Sequence, residues 1–276
     1  MGVQTNSGSF AIEAMIPAVI EAGRLTLVER ERGVSAEYKS DESPVTAADH
    51  AAEAVLLAAL ARHAPGIPVI AEEECAAGRI PDVDREFFLV DPLDGTKEFI
   101  KGGSDFTVNV ALVDNHAPVT GVVYAPARGE IWWGDVRGRR WAKRGEVHNN
   151  ELVNARPMQV RDFNGPPTAV ASKSHNTPAT EAWLDAAGAG ERVSIGSSLK
   201  FVLIASGEAD VYPRAGPTME WDTAAGDAVL RAAGGRTFDV DGQPLPYGKP
   251  RFYNPGFVAT GPFEPPVLRP FLTDDQ

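Results

Sequence analysis

A chain of 276 residues can bury a sizeable core, so no disulfide or metal staple is needed to hold it folded. Its 26 Lys and Arg against 38 Asp and Glu leave a formal charge of −12, which disfavours nucleic-acid polymers and requires any anionic ligand to be held locally. The one cysteine, Cys75, excludes an internal disulfide and every cysteine-rich metal pattern, and reads as a small half-buried thiol in a reducing compartment.

Residues 1–9 carry no Lys or Arg, so neither a secretory signal nor a transit peptide is expected. Asn6 stands where a myristoylation site after Met-Gly needs Ser or Thr. No apolar run reaches membrane-spanning length. The sequence is read as that of a soluble cytoplasmic protein without integral membrane contact, with peripheral association at an inner membrane left open.

From Phe10 to Arg32, the apolar residues Ile12, Met15, Ile16, Val19, Ala22 and Leu27 recur at helical spacing, and Pro17 marks a kink or a late start. The polar stretch Gly33 to Pro44 is predicted to be an exposed, mobile loop. Thr46 caps an Ala- and Leu-rich helix through about Arg62, which Pro65-Gly66 ends. Short buried strands are expected at Ile67 to Ala71 and Glu86 to Val90, each running into acidic residues. An antiparallel meander follows at Phe106 to Val113, Ala117 to Ala125, Glu130 to Asp135 and Arg139 to Lys143.

After a Pro/Gly-rich crossing near residues 164–167 the rhythm changes. Strands at Thr168 to Ala171, Arg192 to Ile195 and Asp210 to Tyr212 alternate with helices at Pro178 to Ala187, Ser198 to Ser206 and Trp221 to Ala233. That alternation is an α/β signature. The Pro-rich stretch after Gly248 reads as a surface wrap. Two halves, 1–160 and 161–276, are expected to form one compact unit.

The most informative peptide runs from Phe87 to Phe99. An apolar strand is read as ending in Asp91, Pro92 prevents its ladder from continuing, and Asp94 follows one short turn later. Two carboxylates on one loop, with the Leu93 carbonyl between them, suit a hard divalent cation. Gly95 and Thr96 place backbone N–H groups where a phosphate oxygen is favoured. Taken alone, the same peptide is also an ordinary acidic turn capping a helix.

Three more acidic sites bear on that choice. Glu72-Glu73-Glu74 follows the earlier strand, and three successive side chains cannot all face one site, so Glu73 or Glu74 fits a solvated charge run. Asp222 opens a helix of small residues, where a carboxylate also stabilises the helix dipole. Asp49, three residues after Thr46, either supports the cap or holds the hydroxyl of Thr96. All four sites lie at strand ends and helix starts, where open α/β folds bind ligands.

Together these stretches, from about residue 39 to 260, resemble the inositol monophosphatase superfamily of lithium-sensitive, magnesium-dependent phosphatases. Within it the chain is most similar to the bacterial 3'(2'),5'-bisphosphate nucleotidases. The residues that carry this are Ser43-Pro44-Val45-Thr46-Ala47-Ala48-Asp49, Asp94-Gly95-Thr96-Lys97-Glu98-Phe99 and Gly196-Ser197-Ser198-Leu199-Lys200-Phe201. Inositol phosphatases usually show Thr-Asn-Phe where this chain has Lys97-Glu98-Phe99.

The resemblance implies an αβαβα sandwich of the sugar-phosphatase type, with an antiparallel-rich N-terminal sheet and a smaller C-terminal α/β sheet. It implies that Glu72, Asp91, Asp94, Asp222 and the Leu93 carbonyl hold two or three Mg2+ ions, with Mn2+ able to substitute and Li+ inhibitory. Asp49 and Thr96, with Glu72, would activate water. Gly95, Thr96, His175, Ser197, Lys200, Arg214 and Asp222 would bind the substrate. From the residues alone, His175 is a surface-loop histidine, and Lys200 and Arg214 are ordinary solvated charges. The loop around Lys39 and Asp41 would close over the site.

Two positions depart from the family pattern: Ala71, where Ser usually precedes the glutamates, and Ala215, where Phe is expected after Arg214. The implied substrate is a small nucleotide bisphosphate, 3'-phosphoadenosine 5'-phosphate of sulfur assimilation, handled by a monomer or homodimer. The alternatives are an inositol-1-phosphate or other sugar-phosphate phosphatase, and a noncatalytic metal- or nucleotide-sensing protein. A Rossmann dehydrogenase is excluded because no G-x-G-x-x-G follows the early strands.

Overall fold

The computed structural model describes residues 10–38, 44–172 and 177–272. A 3-10 turn, Ile12–Met15, leads into α1 (Ile16–Arg32), with Pro17 in the first helical turn, where a missing N–H breaks no bond. The predicted loop after it, Gly33 to Pro44, contains one strand, β1 (Ala36–Tyr38), which runs antiparallel to β2 (Pro44–Thr46) at the loop's far end. Lys39 and Asp41 lie outside the described residues. Thr46 then caps α2 (Ala47–His63) in a capping box completed by Asp49.

A seven-stranded sheet runs in chain order through β3 (Val69–Ala71), β4 (Glu86–Asp94), β5 (Thr107–Asp114), β6 (Ala117–Ala125), β7 (Glu130–Asp135), β8 (Trp141–His148) and β9 (Glu151–Pro157). Only β3 and β4 pair in parallel. Two short helices interrupt it, α3 (Glu72–Ala76) and α4 (Thr96–Ile100). The meander extends beyond the predicted stub at Arg139 to Lys143, because β9 pairs with β8 although it is mostly exposed and lacks an apolar pattern.

The second half supplies β10 (Ala169–Ser172), α5 (Pro178–Ala186), β11 (Arg192–Ile195), α6 (Leu199–Ala205), β12 (Val211–Arg214), β13 (Thr218–Met219), α7 (Trp221–Ala233), β14 (Arg236–Asp239), β15 (Tyr253–Asn254) and β16 (Phe257–Thr260). A five-stranded sheet takes the order β11-β10-β12-β16-β14, and β13 pairs with β15. The expected C-terminal wrap is therefore corrected in part. Phe257, Val258, Ala259 and Thr260 are all buried, in a strand flanked on both sides by antiparallel partners.

Core packing orders the layers. Val19, Leu56 and Leu60 of α1 and α2 pack on Phe88, Val90 and Val110. Phe87 and Leu89, pointing the other way along the same strand, join a core with Phe201 of α6 and Val229 of α7, which also takes in Tyr212 and Phe257 of the smaller sheet. Trp183 and Leu184 of α5 cover that sheet's outer face through Val211 and Val258. The stack is α-β-α-β-α, and burial on both faces explains why Phe87-Phe88-Leu89-Val90 is apolar without alternation. The middle layer lies close on the large sheet: a Cβ at Gly121 would lie 2.9 Å from the Ala225 carbonyl oxygen. No helix among the described residues is long and apolar enough to cross a membrane.

Candidate active site

The acidic loop is built by a bulge. Asp91 pairs with Asn109 and Asp94 with Thr107, so the register shifts between them. The strand thus continues past Pro92 rather than ending at Asp91 as expected, because a bulge tolerates the missing N–H. The Leu93 N–H donates to Asp91 Oδ1 at 3.0 Å, which fixes the first carboxylate against its own loop. Gly95 follows in the left-handed region, with φ 96°, and opens α4. A Cβ there would meet the Asp105 carbonyl oxygen at 3.0 Å, so glycine is required twice over.

Thr96 faces back across the loop. Its hydroxyl lies 3.2 Å from Asp49 Oδ1 and 3.1 Å from the Leu93 carbonyl oxygen. Asp49 is buried, and its Oδ2 accepts from the Thr46 N–H at 2.8 Å and the Thr46 hydroxyl at 2.7 Å. The two readings of Asp49 therefore hold together, one oxygen capping α2 and the other meeting Thr96.

A cavity of about 220 Å³ opens above this loop. Glu72, Asp94, Gly95, Thr96, Ser197, Lys200, Arg214 and Asp222 all line it, so eight of the expected site residues meet there. Asp91, Leu93 and Asp49 lie buried, and His175 lies outside the described residues. Asp94 Oδ2 accepts three hydrogen bonds: from the Ser197 hydroxyl at 2.6 Å, the Ser198 N–H at 2.7 Å and the Ser198 hydroxyl at 3.2 Å. Asp222 Oδ2 accepts from the Met219 N–H at 2.9 Å.

The donor set has the chemistry of a hard-cation site. Burial pushes the Asp91 carboxyl well above its usual range, and the charges of Glu72, Asp94 and Asp222 push it further. Asp222 is raised in the same way, by burial and then by Asp94 and Glu72, against smaller opposing effects of the Met219 N–H and Arg214. Asp91, Asp94 and Asp222 have no ion-pair partner among the described residues. As they stand, no three or more His, Cys, Asp or Glu side chains among the described residues are gathered closely enough to hold a metal ion. The carboxylates are neighbours that repel one another until a cation joins them, and hard oxygens of this kind fit Mg2+.

Lys200 is not the solvated charge that its residue type suggests. It is 4% exposed, donates to the Ser197 carbonyl at 2.7 Å and the Ile195 carbonyl at 3.4 Å, and lies over the Tyr212 ring. Burial pulls its pKa down to about 8 despite the pull of Asp94 in the other direction. Arg214 is half-buried and donates to the carbonyls of Gly216 and Pro217 at 3.2 and 2.9 Å. Glu73 also departs from the solvated reading: it is 4% exposed, and its N–H donates to Glu53 Oε2 at 2.9 Å. Glu74 keeps the exposed role through Arg79.

Several supporting residues escape a motif-based reading. Ser198 ties Asp94 to Asp222, since its hydroxyl also reaches the Asp222 carbonyl oxygen at 2.9 Å. Asn109 Nδ2 donates to that hydroxyl at 3.1 Å, and Thr107 meets the Ser197 hydroxyl at 2.5 Å. Ser197 is held at φ 56°, a conformation non-glycine residues rarely adopt. Asp105 accepts from Arg128 at 2.5 Å and from the Gly196 N–H at 3.3 Å, clamping the same loop. Thr107 and Asn109 carry a readable signal, polar side chains within an apolar run; Asp105 does not.

Comparison with known proteins places the chain in a family. The inositol monophosphatase family model matches residues 9–261. A 3'(2'),5'-bisphosphate nucleotidase CysQ from Shigella flexneri is 47% identical over 221 residues, covering 79% of this chain and 86% of the relative. The Escherichia coli K12 protein of the same name is 46% identical over the same length. The crystal structure of CysQ from Bacteroides thetaiotaomicron superimposes with a TM-score of 0.76 at 36% identity, covering 95% of this chain and 100% of that one. An inositol monophosphatase from Anabaena aligns with a TM-score of 0.71 at 26% identity, covering 94% and 92%. The chain belongs to the inositol monophosphatase family.

Proposed function

We propose that this chain is a magnesium-dependent phosphomonoesterase that removes the 3'-phosphate from 3'-phosphoadenosine 5'-phosphate, giving AMP and phosphate, in the clearance of a sulfur-assimilation by-product. The observation that carries the reading is one cavity combining mutually repelling carboxylates, the Thr96–Asp49 pair and the cations Lys200 and Arg214. The identity to nucleotidases named CysQ favours the bisphosphate over an inositol phosphate.

Glu72, Asp91, Asp94, Asp222 and the Leu93 carbonyl are the groups that would hold Mg2+. When bound, the ion neutralises phosphate charge and acidifies the attacking water. Two or three ions, replaceable by Mn2+ and displaced by Li+, complete the reading.

The chain's own part is proton handling and placement. The Thr96 hydroxyl has one proton and two acceptors in reach, Asp49 Oδ1 and the Leu93 carbonyl. Directed to Asp49 Oδ1, that proton can pass to the carboxylate as the Thr96 oxygen takes one from the attacking water, so the relay ends on Asp49. Thr46 holds Asp49 in place for this. Ser197 and Ser198 orient Asp94, and Gly95 and Thr96, which line the cavity at the start of α4, would offer N–H groups to the phosphate. Ser197, Lys200, Arg214 and His175 are the nucleotide-side contacts. The reading is of a cytoplasmic monomer or homodimer.

Phosphate release from 3'-phosphoadenosine 5'-phosphate and inositol-1-phosphate, each with and without magnesium, tests the reading. Faster magnesium-dependent turnover of the bisphosphate supports it; preference for inositol-1-phosphate moves the chain to the sugar-phosphate alternative. Magnesium-dependent binding without turnover of either would favour a sensing role.

A further inference from the structure

Among the described residues, the one hydrogen bond on the Asp222 carboxylate comes from the Met219 N–H, 2.9 Å from Oδ2. Met219 closes β13, a strand of two residues whose partner is β15, so neither large sheet fixes it. Asn254, fully buried in β15, supplies what this short pairing lacks. Its Nδ2 lies 3.2 Å from the Thr218 hydroxyl, 3.2 Å from the Met219 carbonyl and 3.1 Å from the Thr223 hydroxyl. Because a carbonyl only accepts, the Met219 contact assigns nitrogen rather than oxygen to that side of the amide. One side chain thus ties the strand that orients Asp222 to the first turn of the helix that carries it.

The segment holding Asn254 is anchored at the same place. Glu220, fully buried, accepts the N–H groups of Gly248 at 2.7 Å and Lys249 at 2.9 Å and pairs with the Lys249 ammonium at 2.7 Å. Its own N–H donates to the Phe252 carbonyl at 2.7 Å.

Fold stability alone is a poor account of the Asn254 amide. Its Oδ1 is buried without a hydrogen-bond partner among the described residues, a desolvated polar atom that an apolar residue of similar size would avoid. What the N–H side delivers is placement. Mg2+ demands near-ideal octahedral geometry with oxygens at about 2.0–2.1 Å, so a carboxylate displaced even slightly binds it poorly.

We propose that Asn254 is a positioning residue that sets the Asp222 carboxylate for the ion; this rests on the reading above of Asp222 as a magnesium ligand. Groups that support a metal ligand without touching the ion typically change metal affinity about tenfold to a hundredfold when removed.

The test follows the melting temperature of the full, metal-free chain as magnesium is added, with kcat and KM measured over the same magnesium range. Asn254→Ala, and Asn254→Ser, whose hydroxyl is too short to span the three acceptors, are each expected to move the magnesium midpoint up about tenfold or more. In saturating magnesium, kcat and the nucleotide KM are expected to return near wild type. A purely structural amide would instead lower the melting temperature equally at every magnesium concentration and leave the midpoint in place. That result, a loss of kcat that magnesium does not restore, or variants that stay unfolded in saturating magnesium each overturn the proposal. A wild type whose melting temperature and activity ignore magnesium overturns the ion reading and this inference with it, whereas a responsive wild type with unshifted variants overturns this inference alone.

Discussion

The Thr96 hydroxyl lies 3.2 Å from Asp49 Oδ1, across 47 residues of sequence, and its other hydrogen-bond acceptor among the described residues is the Leu93 carbonyl at 3.1 Å. Two helix starts, those of α2 and α4, are joined by one proton. Thr96→Val, which keeps the shape and removes that proton, is expected to lower kcat by about 10²- to 10⁴-fold with little change in KM. Asp49→Asn is expected to do the same while also loosening the cap of α2. Steady-state kinetics decide it; kcat within a few-fold of wild type in Thr96→Val rules out the proton role.

Asp94 gathers three donors from the Ser197–Ser198 loop on a single oxygen. Asp94→Asn retains an acceptor for that loop and loses the charge a cation requires. Turnover is expected to be abolished with a native circular dichroism spectrum. Near-normal activity would remove Asp94 from the ion-binding set.

The raised pKa values of Asp91 and Asp222 make a stability prediction with a definite sign. In metal-free protein these carboxyls hold protons that the unfolded chain, with pKa near 3.8, has released. Native stability is therefore greatest below the unfolded value and falls as pH rises toward the raised ones. Metal-free protein is expected to melt at a lower temperature at pH 8 than at pH 5, and magnesium is expected to remove most of that difference. Asp91→Asn is expected to raise the metal-free melting temperature at pH 8 and to weaken the magnesium response. A melting temperature at pH 8 that does not respond to magnesium contradicts the account.

Glu53 follows the same logic without a cation. Buried between α2 and α3, it accepts the Glu73 N–H, and burial lifts its pKa to about 7. Its proton is retained by the native state between the unfolded value of 4.5 and about 7, so stability falls across that window as pH rises. Ionising it costs on the order of 3 kcal/mol above neutrality. Glu53→Gln keeps a carbonyl for Glu73 and avoids that cost, so its melting temperature is expected to exceed that of wild type at pH 8 and to converge with it near pH 5. A lower melting temperature at both pH values would show that the charge itself is needed.

What the sequence made legible follows from where the information is local. The peptide Asp91 to Thr96 is read correctly as a two-carboxylate loop because proline and glycine force the chain there, although the bulge that lets β4 continue depends on its pairing with β5. Trp221–Ala233 is read to the residue because its small face and its Gly234 stop are encoded in order. Strand β9 was missed because it is mostly exposed and held by pairing alone, and β16 because prolines on either side of it read as a surface wrap. The burial of Lys200 and Glu73 was equally hidden: the Lys200 ammonium is met by the carbonyls of Ser197 and Ile195, and the Glu73 N–H by the Glu53 carboxylate, 20 residues away. Without the family resemblance, Lys200 and Arg214 carry no local signal at all.

Phosphorus NMR of the reaction with 3'-phosphoadenosine 5'-phosphate tests the central claim most directly, because it identifies which ester is cut. With magnesium present, the 3'-phosphate resonance is expected to give way to inorganic phosphate while the 5'-phosphate of AMP persists, and a chelator is expected to stop the change. Loss of the 5'-resonance first, or an unchanged spectrum in saturating magnesium, would contradict it.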